Sequence, residues 1–193
     1  MNKVHSIGII CEDKSDFQSL RILISRVLDK NNLSFKKRTG EGGSNILLKC
    51  DKWANELLEQ GCDLLLVVHD RDREDYEELN NKIKTKLSKS NFKNNYVCIP
   101  VEELEAWLLS DPDLLKSFFK LDRVPKIKHN PETIPSPKEY LGEQVRLCSN
   151  GNRLYLNTKH NPLLSTTIST SLIKTKCSTF ANLCNYLSKF TYI

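Results

Sequence analysis

Acidic side chains follow two short apolar runs of this chain. Glu12 follows the run at residues 7–11, and Asp70 and Asp72 follow the run at residues 64–69. Carboxylate oxygens are the ligands that Mg²⁺ and Mn²⁺ prefer, and such an ion can activate a water and neutralise charge that builds on a phosphate. We therefore take these three acids as candidate catalytic residues and metal ligands.

The elements around these acids decide whether they can meet. The runs before Glu12 and Asp70 are apolar throughout, which predicts strands buried on both faces of a parallel sheet. The predicted strands are at residues 4–11, 33–37, 64–69 and 96–101. Helical periodicity between the runs predicts an α/β fold, a parallel sheet flanked by helices on both faces. The carboxyl ends of such strands meet at the ligand-binding edge of the sheet, so the sequence predicts an acidic cluster there.

Further acids follow the predicted strands. Glu102 and Glu105 are three residues apart just past the fourth strand, so a helix starting there would present both on one face and supply a second metal position. We interpret Glu103 and Asp111 as helix caps. Two acids precede or open the first helix, which a capping box from Ser15 to Gln18 predicts to start at about Asp16. Of these, Asp13 is a minor candidate ligand, and Asp16 is interpreted as structural.

Charge is distributed unevenly over the 193 residues. Residues 121–193 contain ten Lys and Arg against four Asp and Glu, although the whole chain carries only +5. We predict an α/β domain at 1–120 and a basic, mostly helical or irregular extension at 121–193 packed on it. Lys126 and Lys128 fall in a proline-rich stretch predicted to be extended. A basic region beside an acidic, metal-binding edge suits a polyanion such as nucleic acid.

Several classes of protein are disfavoured. No run of about 18 apolar residues occurs, and the first apolar stretch is too short for a secretory signal, so we expect a cytoplasmic protein without membrane contact. Seven cysteines without a C-x-x-C pair predict reduced core thiols. His69 is interpreted as a packing residue, since one histidine makes a poor metal site. The loop with Gly40, Gly42 and Gly43 matches no P-loop and is interpreted as a turn.

The ordered set of motifs resembles a known family. A glutamate closing the first strand, a D-x-D closing the third and an acid-rich helix after the fourth resemble the Toprim fold of topoisomerases, bacterial primases and overcoming-lysogenization-defect nucleases. The segment EELEAWLLSD at 102–111 is similar to the E-x-E-A-W-L-L-A-D signature of the Toprim-like proteins of domain of unknown function family 4276. Segments 155–160 and 176–180 are similar to the closing segments of that family, so the resemblance covers nearly the whole chain.

The resemblance implies magnesium-dependent phosphodiester hydrolysis, with Mn²⁺ as the alternative ion, and a role in phage defence. Asp70 and Asp72 would hold metal, and Glu12 would be a ligand or the general acid or base. Lys159 and His160 become candidate contacts to a nucleic-acid phosphate, whether DNA or RNA. An ATPase partner and self-association are further implications. The alternatives are a non-catalytic binding subunit of an ATPase-containing complex and a receiver-like, Mg²⁺-binding signalling domain.

Overall fold

Four parallel strands form the central sheet of the computed structural model, which describes residues 3–40 and 42–193. The strands are β2 (Ser6–Cys11), β3 (Ser34–Thr39), β4 (Leu64–Val68) and β5 (Asn95–Cys98), in the order β3-β2-β4-β5. All three pairings are parallel. Helices α1 (Lys14–Leu28), α2 (Gly43–Glu59) and α3 (Tyr76–Leu87) connect successive strands. This confirms the predicted α/β class with a parallel sheet flanked by helices.

The two central strands divide the hydrophobic core into two layers. Every residue of β2 and β4 is buried, as their uninterrupted apolar runs predict. Alternate side chains point to opposite faces, so Leu64 and Leu66 join α1 in one cluster while Leu65 and Val67 join α2 and α3 in the other. This packing fixes the height of each strand end, and hence the positions of the side chains that follow.

Helices dominate the rest of the chain. The elements after β5 are α4 (Glu105–Leu108), α5 (Pro112–Phe119), a 3-10 turn (Pro131–Thr133), α6 (Pro137–Cys148), α7 (Asn157–Thr167), α8 (Thr170–Lys176) and α9 (Ser178–Leu187). The α7 helix packs on α1. Trp107 is fully buried beside Phe180 of α9 and donates its indole N–H to Thr179 Oγ1 at 2.8 Å. The hydrophobic cluster that includes α1 thus contains side chains from before and after residue 120, where the predicted domain boundary lies.

The two described ends of the chain pair with each other. Strand β1 (Lys3–Val4) and strand β6 (Thr191–Tyr192) form a separate two-stranded parallel sheet. The Ile193 N–H also donates to the Val4 carbonyl at 3.1 Å. The sequence predicts one continuous strand over 4–11, whereas the structure divides it into β1 and β2.

Three local predictions are wrong. The first helix starts at Lys14, because Asp13 rather than Ser15 is its N-cap and forms the capping box with Asp16. Glu102 is not helical: its φ of 62° is left-handed, and α4 begins only at Glu105. The stretch at 121–142 is not extended throughout, since α6 starts at Pro137, whose ring fits the first helical position.

All seven cysteines are free and buried, which confirms the prediction of reduced core thiols. Among the described residues, no helix has the length and apolar character needed to cross a membrane.

Candidate functional site

Glu12 and Asp70 meet where the strand order of the sheet reverses. Glu12 follows β2, and Asp70 comes two residues after β4. These two strands are neighbours in the sheet, and the chain continues from β2 to β3 on one side of the pair and from β4 to β5 on the other. In open α/β sheets this switch point is the usual ligand crevice. The Asp70 N–H donates to Glu12 Oε1 at 3.3 Å, so the two acids are in direct contact.

The burial of several acids is the main electrostatic feature of this edge, and repulsion between them adds to its effect. Desolvation raises the pKa of Asp70 well above its usual range, and Asp16, Glu12, Glu105 and Asp72 raise it further. Desolvation and Asp72 likewise raise the pKa of Glu12, against an opposing effect of His69. Raised carboxylate pKa values of this kind are typical of functional sites.

Asp16 belongs to this cluster, although the sequence analysis treats it as structural. Desolvation, then Asp13 and Glu105, raise the pKa of Asp16 to about 8. Its Oδ2 accepts the Asp13 N–H at 3.3 Å, as expected for the capping box. The signal that could have found it is its position in the first turn of α1, four residues after Glu12 at the end of β2, where the helix begins at the sheet edge.

Glu105 reaches the cluster from α4 and is 4% exposed. Its Oε1 accepts the Tyr155 O–H at 2.9 Å and the Asn161 side-chain amide at 3.0 Å. Tyr155 also contacts Asn161 Oδ1 through its hydroxyl. Sequence reasoning named Glu105 but missed these two partners, because they lie 50 and 56 residues away along the chain.

Asp72 and Glu102 lie in two loops that are hydrogen-bonded to each other. Asp72, Arg73 and Glu102 all have positive φ, from 49° to 64°. The Glu102 carbonyl accepts the Arg71 N–H at 3.0 Å, and its Oε2 accepts the Arg73 N–H at 3.0 Å. The Asp72 side chain is exposed, whereas the Glu102 carboxylate accepts the Arg73 N–H and so helps to hold the two loops together. A metal-ligand role for either residue stays a prediction.

Glu103 and Asp111 cap helices. Glu103 Oε2 accepts the Lys138 N–H at 2.9 Å at the start of α6, whose own N-cap residue, Ser136, makes no side-chain cap bond. Asp111 Oδ1 accepts the Leu114 N–H at 3.0 Å at the start of α5. Both contacts agree with the capping interpretation.

His69 is more than packing, because it fixes the backbone of Asp70. It is 2% exposed, and its Nδ1 lies 2.6 Å from the Asp70 carbonyl, to which the ring N–H donates. Its Nε2 is buried without a hydrogen-bond partner in the described part of the chain. The ring lies against Gly43 at the start of α2, where a Cβ would come within 2.7 Å of Nε2. Gly43 is therefore needed for close packing.

The predicted phosphate contacts lie in two places. Lys159 and His160 are in the first turn of α7, where Lys159 is exposed and His160 Nδ1 accepts the Leu156 N–H at 2.9 Å. Burial and Lys159 lower the pKa of His160, which disfavours a cationic imidazole. Lys126 and Lys128 are exposed in the irregular segment before α6. Nucleic-acid binding at these four residues stays a prediction.

Two clefts open beside the acids. One of about 430 Å³ lies between the start of α1, Thr39 and Thr158 and includes Lys14 and Gln18. The other, of about 400 Å³, is lined by Asp72, Arg73, Glu102, Glu103, Ser136 and Glu139.

The donor types fit a hard divalent cation, but the side chains are not gathered around one point. Within residues 3–40 and 42–193, no three His, Cys, Asp or Glu side chains are arranged to hold a single metal ion. Glu12, Asp16, Asp70 and Glu105 are hard oxygen donors whose charges repel one another. A divalent cation would offset that repulsion.

Comparison with known proteins identifies a family. The model of a protein family described as "Domain of unknown function (DUF4276)" matches residues 11–188. No curated protein and no solved structure matches the chain. The matched range includes Glu12, Asp16, Asp70 and Glu105.

Proposed function

The chain belongs to the family of domain of unknown function DUF4276, whose description names no activity, and from its own residues we propose a Toprim-like, metal-dependent phosphodiester hydrolase of nucleic acid. A single observation carries the proposal. The carboxylates of Glu12, Asp16, Asp70 and Glu105 lie at the switch point of a parallel sheet, where burial raises the pKa of Glu12, Asp16 and Asp70 and neighbouring acids raise each of these three further.

A cation would complete this cluster. In the part of the chain that the structure describes, the ion pairs of lysine and arginine are with Glu56 and Glu74, and none involves the four carboxylates. Keeping several desolvated acids together without a counter-charge costs stability, so a purely structural role would not favour the arrangement. A bound divalent ion would offset the repulsion.

We assign the ion to Asp70, Glu12 and Glu105, with Asp16 and Asp72 as further ligands. When bound, Mg²⁺ or Mn²⁺ would activate a water and neutralise charge on the phosphate. The chain's own contribution is orientation: Glu12 holds the Asp70 N–H, and His69 holds the Asp70 carbonyl. Burial raises the pKa of Glu12, which favours its protonated form, so Glu12 is also suited to hold a proton as a general acid or base.

Nucleic acid is the substrate class that the charges support. A polyphosphate chain reaching a carboxylate edge needs cations along its path, and exposed Lys159, Lys126 and Lys128 lie in the basic region. Lys14 lies in a cleft beside the cluster. These side chains would contact the phosphate backbone without reading sequence.

The test is metal-dependent cleavage. Purified protein is incubated with labelled DNA and RNA, single- and double-stranded, in Mg²⁺, Mn²⁺ or EDTA. We expect cleavage with metal only, and a loss of at least about 100-fold in Asp70→Asn, since a ligand carboxylate is removed. Asp113→Asn is the matched control, because Asp113 is an exposed acid in the first turn of α5. Equal cleavage by Asp70→Asn and wild type would contradict the proposal.

The two alternatives are separated by different observations. The order β3-β2-β4-β5 is also that of the first four strands in receiver-like folds. Strand order therefore does not separate the proposed hydrolase from a receiver-like domain. Asp13, the second acid after β2, is engaged as the α1 cap through Ser15 and Asp16, which disfavours the paired-acid site of a receiver. A non-catalytic binding subunit would bind metal or nucleic acid in the assay above without cleaving.

A further inference from the structure

Tyr155 and Asn161 hold a carboxylate of the acid cluster from outside it. Both contacts fall on the same atom, Glu105 Oε1, at 2.9 Å from the Tyr155 hydroxyl and 3.0 Å from the Asn161 amide nitrogen. We propose that these two residues are positioning residues, which fix Oε1 so that Oε2 of Glu105 is presented to the bound cation. The inference rests on the proposed metal site and names the residues that make Glu105 part of it.

Burial makes this arrangement selective. Glu105 is 4% exposed and Asn161 is fully buried, so neither can exchange its partner for bulk water at low cost. Within the described residues, Glu105 Oε2 has no hydrogen-bond partner, and it is not among the fully buried unpartnered atoms. Oε1 is therefore held by the Asn161 amide and by the Tyr155 hydroxyl, whose single proton is shared with Asn161 Oδ1, whereas Oε2 remains free to bind. Outer contacts of this kind orient metal-binding carboxylates.

The contact also links distant parts of the chain. Glu105 begins α4 after the last strand of the sheet, whereas Asn161 is in α7, which packs on α1. Tyr155 lies just before α7, and its ring neighbours Phe119 at a centroid distance of 6.4 Å. The α7 region thereby contributes to the site without supplying a ligand. Glu105 and the segment at 155–161 therefore belong to one hydrogen-bonded unit.

The experiment measures Mn²⁺ affinity of the full chain without nucleic acid, by calorimetry and by the electron paramagnetic resonance spectrum of the ion. Tyr155→Phe removes one donor and keeps the ring, so we expect about 10-fold weaker Mn²⁺ binding, within the range for outer-contact losses. Asn161→Asp keeps the shape but replaces a donor with an acceptor, and we expect a larger loss. Both variants should also change the spectrum of bound Mn²⁺.

The matched control is Tyr140→Phe. Tyr140 donates its hydroxyl to the Lys126 carbonyl at 2.6 Å, so the variant also loses one tyrosine hydrogen bond, but on α6 and away from the acids. We expect wild-type Mn²⁺ affinity in this variant. Melting temperatures are measured for all four proteins, so that a loss of affinity in a folded variant is separated from unfolding.

The outcomes distinguish this inference from the proposed function. Wild-type Mn²⁺ affinity in folded Tyr155→Phe and Asn161→Asp would overturn the positioning role, whatever the cleavage assay gives. Weaker binding in both, together with no cleavage by the wild type, would leave the positioning role supported and the hydrolase proposal rejected. A wild-type protein that binds no Mn²⁺ would overturn both.

Discussion

Asp16 and Asp70 are two buried acids with raised pKa values at the edge of the sheet that forms the candidate site. Desolvation raises the pKa of each acid, and the charge of Asp16 raises the pKa of Asp70 further. The same residues have structural duties, since Asp16 completes a helix cap and the Asp70 backbone is held by Glu12 and His69. Their backbone positions are therefore fixed before any ion binds, which reduces the ordering that binding requires.

The first prediction concerns pH. The pKa of Asp16 is raised from an ordinary value near 3.8 to about 8 in the folded protein. The unfolded chain loses this proton at lower pH, so the free energy of unfolding should fall as pH rises from about 4 to about 8, by at most about 1.4 kcal/mol per pH unit for this group. Melting temperatures of the metal-free protein between pH 5 and pH 8 check the direction.

Asp16→Asn should flatten that decline, since it removes the group that titrates. Asp113→Asn, an exposed acid in the first turn of α5, should leave the decline unchanged. A metal-free protein that is more stable at pH 8 than at pH 5 would contradict the assignment of Asp16 to the cluster.

The second prediction concerns Gly43. A Cβ there would lie 2.6 Å from Cε1 and 2.7 Å from Nε2 of His69. Gly43→Ala should therefore displace the ring that holds the Asp70 carbonyl and cost about 1–3 kcal/mol, the usual range for overpacking. Urea unfolding measures the loss.

Gly142→Ala serves as the control for that change. Gly142 is inside α6, and the nearest atom to a Cβ there is 3.8 Å away, on Tyr155. Alanine should be neutral or stabilise α6 by up to about 1 kcal/mol. Equal effects of the two substitutions would show that the His69 contact imposes no constraint.

At the scale of elements, the third prediction concerns the start of α9. The Glu132 carboxylate accepts N–H groups of Ser178 at 2.8 Å and Thr179 at 3.0 Å, and both hydroxyls of these residues. Thr179 in turn accepts the Trp107 N–H. Glu132→Gln turns part of this acceptor into a donor and should cost about 1–3 kcal/mol. Chemical denaturation gives the value, and exposed Glu139→Gln should change it little.

The sequence predicts the strands well and the acid-bearing loops less well. β2 and β4 are evident because an uninterrupted apolar run has few other interpretations than a buried strand. The start of α1 was misplaced because Asp13 and Ser15 are both good caps, and only the backbone decides between them. Glu102 was misplaced because its left-handed backbone depends on hydrogen bonds to Arg71 and Arg73, which are distant in sequence.

The candidate site divides in the same way. Glu12, Asp70 and Glu105 could be named because strand ends and a local motif place them at one edge. Tyr155 and Asn161 could not, since single-sequence reasoning has no access to contacts across 50 residues. The sequence indicates only a structural role for Asp16, which it has as part of the α1 capping box, and its place in the acid cluster becomes visible only through the neighbours that raise its pKa.

For the whole molecule, the fourth prediction links metal to stability. If an ion neutralises the cluster, it binds the folded chain and not the unfolded one, so Mg²⁺ should raise the melting temperature. Each tenfold increase in concentration above the dissociation constant adds about 1.4 kcal/mol. Differential scanning fluorimetry with NaCl at matched ionic strength checks this. Asp70→Asn should lose the effect, and an equal shift in that variant would point to non-specific binding.

The pairing of β1 with β6 has a practical consequence for handling the protein. Lys3 pairs with Thr191 and Val4 with Tyr192, directly before the start of β2. Both described ends therefore emerge at the amino edge of the sheet, opposite the acids. An affinity tag, a fluorescent fusion or a tether to a sensor surface at either end should leave the carboxyl edge accessible. A short linker between the ends would also permit circular permutants, in which new ends are opened in an exposed loop.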